Sequence, residues 1–121
     1  MTYFNLTKAI FEYVSQEKLD VITASLTLTE VLMKPIQAKN RRLQREYRDL
    51  LLNTKNVSTI AIDTIIATKA AELRAKYNLK TPDALHVASA IVSGCDAFLT
   101  NDDGIKRVTE ITILILDDLE I

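Results

Sequence analysis

Thr81-Pro82-Asp83-Ala84-Leu85-His86, followed by Phe98-Leu99-Thr100-Asn101-Asp102, decides how this chain is read. Thr81 suits a helix N-cap, and Pro82, with its fixed φ and no N–H to satisfy, suits the first helical position. Leu85, Val87, Ala88, Ala90, Ile91 and Val92 continue the helix, and Gly94 ends it. Ala97-Phe98-Leu99-Thr100 is then a short buried strand. A helix that turns straight back into a strand runs antiparallel to it, so its start lies near the carboxyl end of that strand. Open α/β sheets bind their ligands at that edge. Asp83 and Asp102 are expected to meet there, and carboxylates gathered at one edge repel unless a hard cation holds them.

Composition narrows the chemistry. At 121 residues, one domain spanning 1–121 is expected. The hydrophobic fraction of 48% and charged fraction of 26% are those of an ordinary globule. No apolar run is long enough to span a bilayer, and no basic segment precedes an apolar core at the N-terminus. A cytoplasmic location without membrane partners is therefore the expectation. Cys95 is the only cysteine and His86 the only histidine, which excludes an intrachain disulfide and thiolate or multi-histidine metal sites. Any metal must be held by oxygen, favouring Mg²⁺, Mn²⁺ or Ca²⁺. With a net charge of −1, binding to a polyanion needs a local basic patch.

Working outward, strands alternate with helices, which predicts a parallel sheet with helices on its faces. Leu6, Ala9, Ile10, Tyr13 and Val14 predict a helix over about residues 3–18. Val21–Leu26 is a strand, and a short helix over Leu28–Met33 carries Glu30 and ends before Pro35. Ile36–Leu52 is a longer helix, Val57–Ile62 a strand, and Asp63 caps a helix with the stripe Ile66, Ala70, Leu73 and Tyr77. Ile111–Leu116 is the last strand.

Thr81–His86 and Thr100–Asp102, with Thr27-Leu28-Thr29-Glu30 upstream, resemble the PIN domain, whose best-known small members are the toxins of bacterial VapB–VapC toxin–antitoxin pairs. The resemblance runs from Leu6–Val14 to the last strand. It implies a Rossmann-like three-layer fold and a ribonuclease that uses Mg²⁺ or Mn²⁺ held by a ring of about four acids. By motif match Glu30, Asp83 and Asp102 are three of them, catalytic and metal-binding. The family opens with an apolar strand ending in Asp, and nothing before Glu30 fits it. The expectation is an N-terminally shortened domain of about four strands, without the central first strand. It follows that three acids bind the cation more weakly than four and that RNA cleavage is weak. Losing a central strand would leave its neighbours about 10 Å apart, so they must close up or accept a filler, and a homo-oligomer is expected. An antitoxin partner is implied by the resemblance alone. The alternative reading is a catalytically degenerate binding or interaction module.

Each residue also has a plainer explanation. Glu30 and Asp83 suit first helical turns through the helix dipole alone. Asp83 shares a face with Val87 and Ile91, which points it along the core side. Asn101, Asp102 and Asp103 make a polar turn by composition. In the functional reading Asp103 assists as a further metal ligand, and Thr100 and Asn101 hydrogen-bond the carboxylates or a bound water. His86 flanks the site, yet a histidine in an Ala/Val-rich helix reads first as a packed, hydrogen-bonded residue. Arg41, Arg45 and Arg48 line one helix face, either as a track for an RNA backbone or as a solvated face paired with Glu46 and Asp49. Lys106 and Arg107 after the acidic turn are weaker candidates for phosphate contact.

Overall fold

The computed structural model describes residues 19–118; the helix expected over residues 3–18 lies outside them. Four short strands and four helices follow in the order β1 (Val21–Ala24), α1 (Leu26–Gln37), α2 (Arg41–Leu52), β2 (Val57–Ile60), α3 (Thr64–Tyr77), α4 (Thr81–Val92), β3 (Ala97–Thr100) and β4 (Thr112–Ile115). Single 3-10 turns at Asp103–Arg107 and Leu116–Asp118 flank β4. The expected α/β alternation is present, and all strand pairing is parallel. The strands form two pairs where a continuous sheet was expected: β1 with β2, in register from Val21 opposite Val57, and β3 with β4, from Ala97 opposite Thr112. Among the described residues no strand joins β1 to β3. Helix α4 packs against both, so apolar burial on a shared helix links the two pairs where hydrogen bonds were expected.

The core lies between α3, α4 and the β3–β4 pair. Ile66, Ala70 and Leu73 of α3 meet Ala84, Val87, Ala88 and Ala90 of α4, with Ile105, Val108 and Ile111 closing one end. Ile66, Ala70 and Leu73 recur at helical spacing and supply one apolar face, with Tyr77 half-buried at its end. The alanines of α4 let the two helices approach closely. Asp63 caps α3 by accepting from the Ile66 N–H at 2.9 Å, as its position before the apolar stripe predicts. Asn78, at φ 56°, ends α3 in the left-handed conformation that asparagine tolerates.

Several boundaries differ from the sequence expectation. α1 continues to Gln37 with Pro35 inside it. Pro35 deprives the Val31 carbonyl of its usual donor, but it sits in the last turn and is buried, so packing outweighs the loss. Its own carbonyl accepts from the Asn40 N–H and from Gln44 Nε2. Lys39, at φ 55°, then breaks the chain direction, and Asn40 caps α2 through Leu43 N–H at 3.0 Å. The expected single helix from Ile36 is thus two helices sharing a corner. Thr81 is the first residue of α4 and Lys80 the cap position, so the Thr81 hydroxyl makes no capping bond. Pro82 still falls in the first turn, where its missing N–H costs nothing.

Lys69 of α3 reaches Glu110, just before β4, at 2.6 Å. Hydrogen bonding to Lys69 holds the Glu110 carboxyl below the ordinary carboxylate range, and the same bond raises Lys69. A depressed carboxyl contributes stability above its unfolded pKa, and that contribution disappears as pH falls through the folded value. Glu110→Gln is therefore expected to be less stable than the natural chain at pH 7. The difference should shrink as pH falls below about 4 and on through the depressed folded value, beneath which the glutamate is protonated in both states. Urea midpoints at pH 7 and pH 3 check this; an equal gap at both would contradict it.

Candidate functional site

Glu30 is delivered by the turn from β1 into α1. The chain leaves the sheet at Ala24 and enters α1 at once, with the Leu28 N–H bonded to the Ser25 carbonyl. Thr23 of β1 and Thr27 of α1 share a hydrogen bond at 2.7 Å between their hydroxyls. That bond fixes the angle between strand and helix, and Glu30 lies on the face of Thr27, three residues on. Thr27 of the Thr27-Leu28-Thr29-Glu30 segment thus has a physical use in aiming the acid.

The aim ends at α4. Glu30 Oε1 lies 2.8 Å from His86 Nε2. His86 is 19% exposed, while Glu30 stays 49% exposed. The carboxylate is therefore held at one oxygen by a largely buried ring and open to solvent at the other side. Asp83 sits three residues before His86, on the same face of α4 and one turn nearer its N-terminus. Asp83 is half-buried and has no hydrogen bond or ion pair among the described residues. A carboxylate so placed gains from the helix dipole and lacks any countercharge of its own.

Asp102 follows β3 and takes up a different task. Its Oδ1 accepts from the Gly104 N–H at 2.8 Å, capping the 3-10 turn, and its own N–H is held by Thr100 Oγ1 at 3.1 Å. Asp102 remains exposed, with one carboxylate oxygen outside this turn. Asp103 points to Lys106 at 3.6 Å and is largely in solvent, and Asn101 is exposed as well. The structure joins Glu30 to His86 and sets Asp83 beside them, while Asp102 is tied into its own turn. Among the described residues, no group of three or more His, Cys, Asp or Glu side chains is close enough to hold a metal ion. The chemistry of the donors nonetheless fits a hard divalent cation. All three are carboxylates at sheet exits or a helix start, and Glu30 and Asp102 each use one oxygen in the protein, leaving the other for a ligand.

Arg41, Arg45 and Arg48 are all exposed along α2. The acids that would neutralise them are engaged elsewhere: Glu46 with Arg42 at 3.1 Å, and Asp49 with the Asn53 amide at 3.0 Å. Arg107 proves to be structural. It donates to the carbonyls of Tyr77, Asn78 and Gly104, tying the end of α3 to the 3-10 turn, so it is not free to bind phosphate. Cys95 is half-buried against the core, and burial pushes its thiol up, away from the thiolate form. The partner of His86 is the feature sequence reasoning missed. Its i, i+3 relation to Asp83 placed it at the site's edge, but contact with Glu30, 56 residues away, is a tertiary one that spacing does not reveal.

A family model described as PIN domain matches residues 5–111. No curated protein matches the chain. Among solved structures, a VapBC2 complex from Rickettsia felis bound to a DNA fragment from its promoter is similar over 92% of this chain and 85% of its own, with a TM-score of 0.72 and 16% identity. A toxin–antitoxin complex from Klebsiella pneumoniae is similar over 77% of this chain and 71% of its own, with a TM-score of 0.61 and 23% identity. At such identities the likeness is one of fold. No helix among the described residues is long and apolar enough to cross a membrane.

Proposed function

Since the chain belongs to the PIN domain family, we propose that it is a ribonuclease of the VapC toxin type, dependent on Mg²⁺ or Mn²⁺. The observation that carries this reading is the half-buried, unpartnered Asp83 one helical turn from the Glu30–His86 pair. Two carboxylates from separate elements would share one place there, where negative charge needs a countercharge. Glu30 and Asp83 would hold the cation, with Asp102 joining from the β3 exit and Asp103 beside it. Thr100 would keep the Asp102 backbone in place, and Asn101 would bond the carboxylates or a water. When bound, the cation supplies polarisation of the scissile phosphate and acidity to a water, so the protein needs no strong base of its own.

RNA would be drawn along α2. Arg41, Arg45 and Arg48 offer exposed cationic charge with no ion pair among the described residues, and phosphate contacts give affinity independent of sequence. Replacing all three by Gln is expected to weaken RNA binding and to reduce the slope of log affinity against log salt by about 2, since single strands lose about 0.7 per phosphate contact. Fluorescence anisotropy with a single-stranded RNA at several salt concentrations measures this; an unchanged slope would remove the track. An antitoxin is the proposed protein partner, supported by the neighbours being toxin–antitoxin complexes; a homo-oligomer is the proposed assembly, because β1 and β3 are not joined by a strand among the described residues. The cytoplasm is the proposed location.

A second reading is favoured by a specific observation. The described residues bring no three metal-ligating groups together, which suits a binding module that has lost catalysis. Incubating the purified chain with RNA at rising Mn²⁺ separates the two. Cleavage that rises with Mn²⁺ and stops on chelation supports the nuclease; RNA left intact at millimolar Mn²⁺ supports the module.

A further inference from the structure

We propose that His86 is the positioning residue for Glu30, holding one carboxylate oxygen so that the other is presented to a divalent cation. The proposal deepens the carboxylate site above and rests on it. A glutamate on an exposed helical turn has three rotatable bonds and samples many rotamers. Here Glu30 Oε1 of α1 lies 2.8 Å from His86 Nε2 of α4. The ring is itself restrained. It is 19% exposed and stands on a helix whose neighbouring positions Val87, Ala88, Ser89 and Ala90 are all buried. Glu30 has no other side-chain hydrogen bond among the described residues, so the ring alone sets the direction of the carboxylate.

The arrangement has the form of an outer partner to a metal ligand, in which a donor orients the ligand without touching the ion. In the neutral ring the proton must sit on Nε2, the atom facing Glu30. With Oε1 occupied by this donor, the other oxygen is left for the cation. Asp83 lies one turn away on the same helix, so a shift of α4 would carry both the second acid and the clamp on the first. The site is thus held as a unit by a single helix.

Because His86 is the only histidine, its imidazole gives one set of nitrogen resonances, which makes the test direct. In ¹⁵N long-range spectra of the neutral ring, Nε2 should carry the proton, and Glu30→Gln should move both ring nitrogens. Mn²⁺ affinity, followed by the paramagnetic resonance of the free ion, should fall about tenfold in His86→Leu. It should be largely kept in His86→Gln, whose amide can still donate to Glu30. In a Glu30→Gln background, His86→Leu should have no further effect on affinity, which a merely structural role would not produce. If the natural chain binds Mn²⁺ and His86→Leu binds it equally or more tightly, the positioning role is wrong while the site stands. If the natural chain binds no Mn²⁺, the site itself is wrong, and the role falls with it.

Discussion

Leu73→Ala is expected to lower the stability of the protein by about 2–5 kcal/mol, the range for deleting a buried leucine side chain without full collapse of the cavity. Leu73 is 0% exposed and is one of the two largest fully buried side chains, the other being Val87 on the helix it packs near. The neighbours cannot easily move inward. Ala84, Ala88 and Ala70 have no side-chain length to give, and α3 is pinned at both ends, by the Asp63 cap and by the Arg107 bonds to Tyr77 and Asn78. For a domain with about 5–15 kcal/mol in all, such a loss removes a large fraction of the folded population's margin. Urea unfolding followed by circular dichroism measures it. A loss below about 1 kcal/mol would mean that the α3–α4 contact is not the centre of the core.

Asp83→Asn is expected to lower Mn²⁺-dependent RNA cleavage by roughly a hundredfold or more. Removing an outer partner of a metal ligand commonly costs about 10–100-fold, and removing a ligand's charge should cost at least as much. The same substitution should leave the fold almost untouched. Asp83 makes no hydrogen bond or ion pair among the described residues, so only its favourable position at the N-terminus of α4 is lost, about 0.3–1 kcal/mol. A large loss of activity with a small loss of stability is the signature of a functional acid. Comparable activity in the two chains would return Asp83 to the role of a helix-dipole residue.

The extent to which sequence reveals this molecule depends on the range of the interactions concerned. Local signals were readable. The Asp63 cap, the stripe on α3, the stop at Gly94 and strand β3 at Ala97–Thr100 are each set by residues within one or two turns of each other. Pro35 misleads because the helix it enters is nearly over and its ring is buried, so tertiary packing overrides the local penalty. The break at Lys39 is hidden for a similar reason: a lysine carries no signal for positive φ, and only Asn40 beside it, a good cap, marks the corner. The pairing of strands is a long-range matter. Four short apolar runs predict parallel neighbours, but whether β1 meets β3 depends on how α4 lies across both. At the site, the sequence points to Glu30, Asp83 and Asp102 as three acids at chain exits. It does not show that Glu30 is taken up by His86, or that Asp102 spends one oxygen on capping its own turn. Those contacts arise from side chains choosing among nearby partners, which spacing alone does not rank.

Whether Glu30 and Asp83 hold one divalent cation between them is decided by Mn²⁺ binding to the purified chain. Titration followed by the electron paramagnetic resonance of free Mn²⁺, on the natural chain, Glu30→Gln, Asp83→Asn and the double variant, isolates the two acids from any question of RNA. One site is expected in the natural chain, with weaker binding in each single variant and a double variant that binds little more weakly than the worse single, because both acids serve the same ion. Affinity that is the same in all four chains would contradict this.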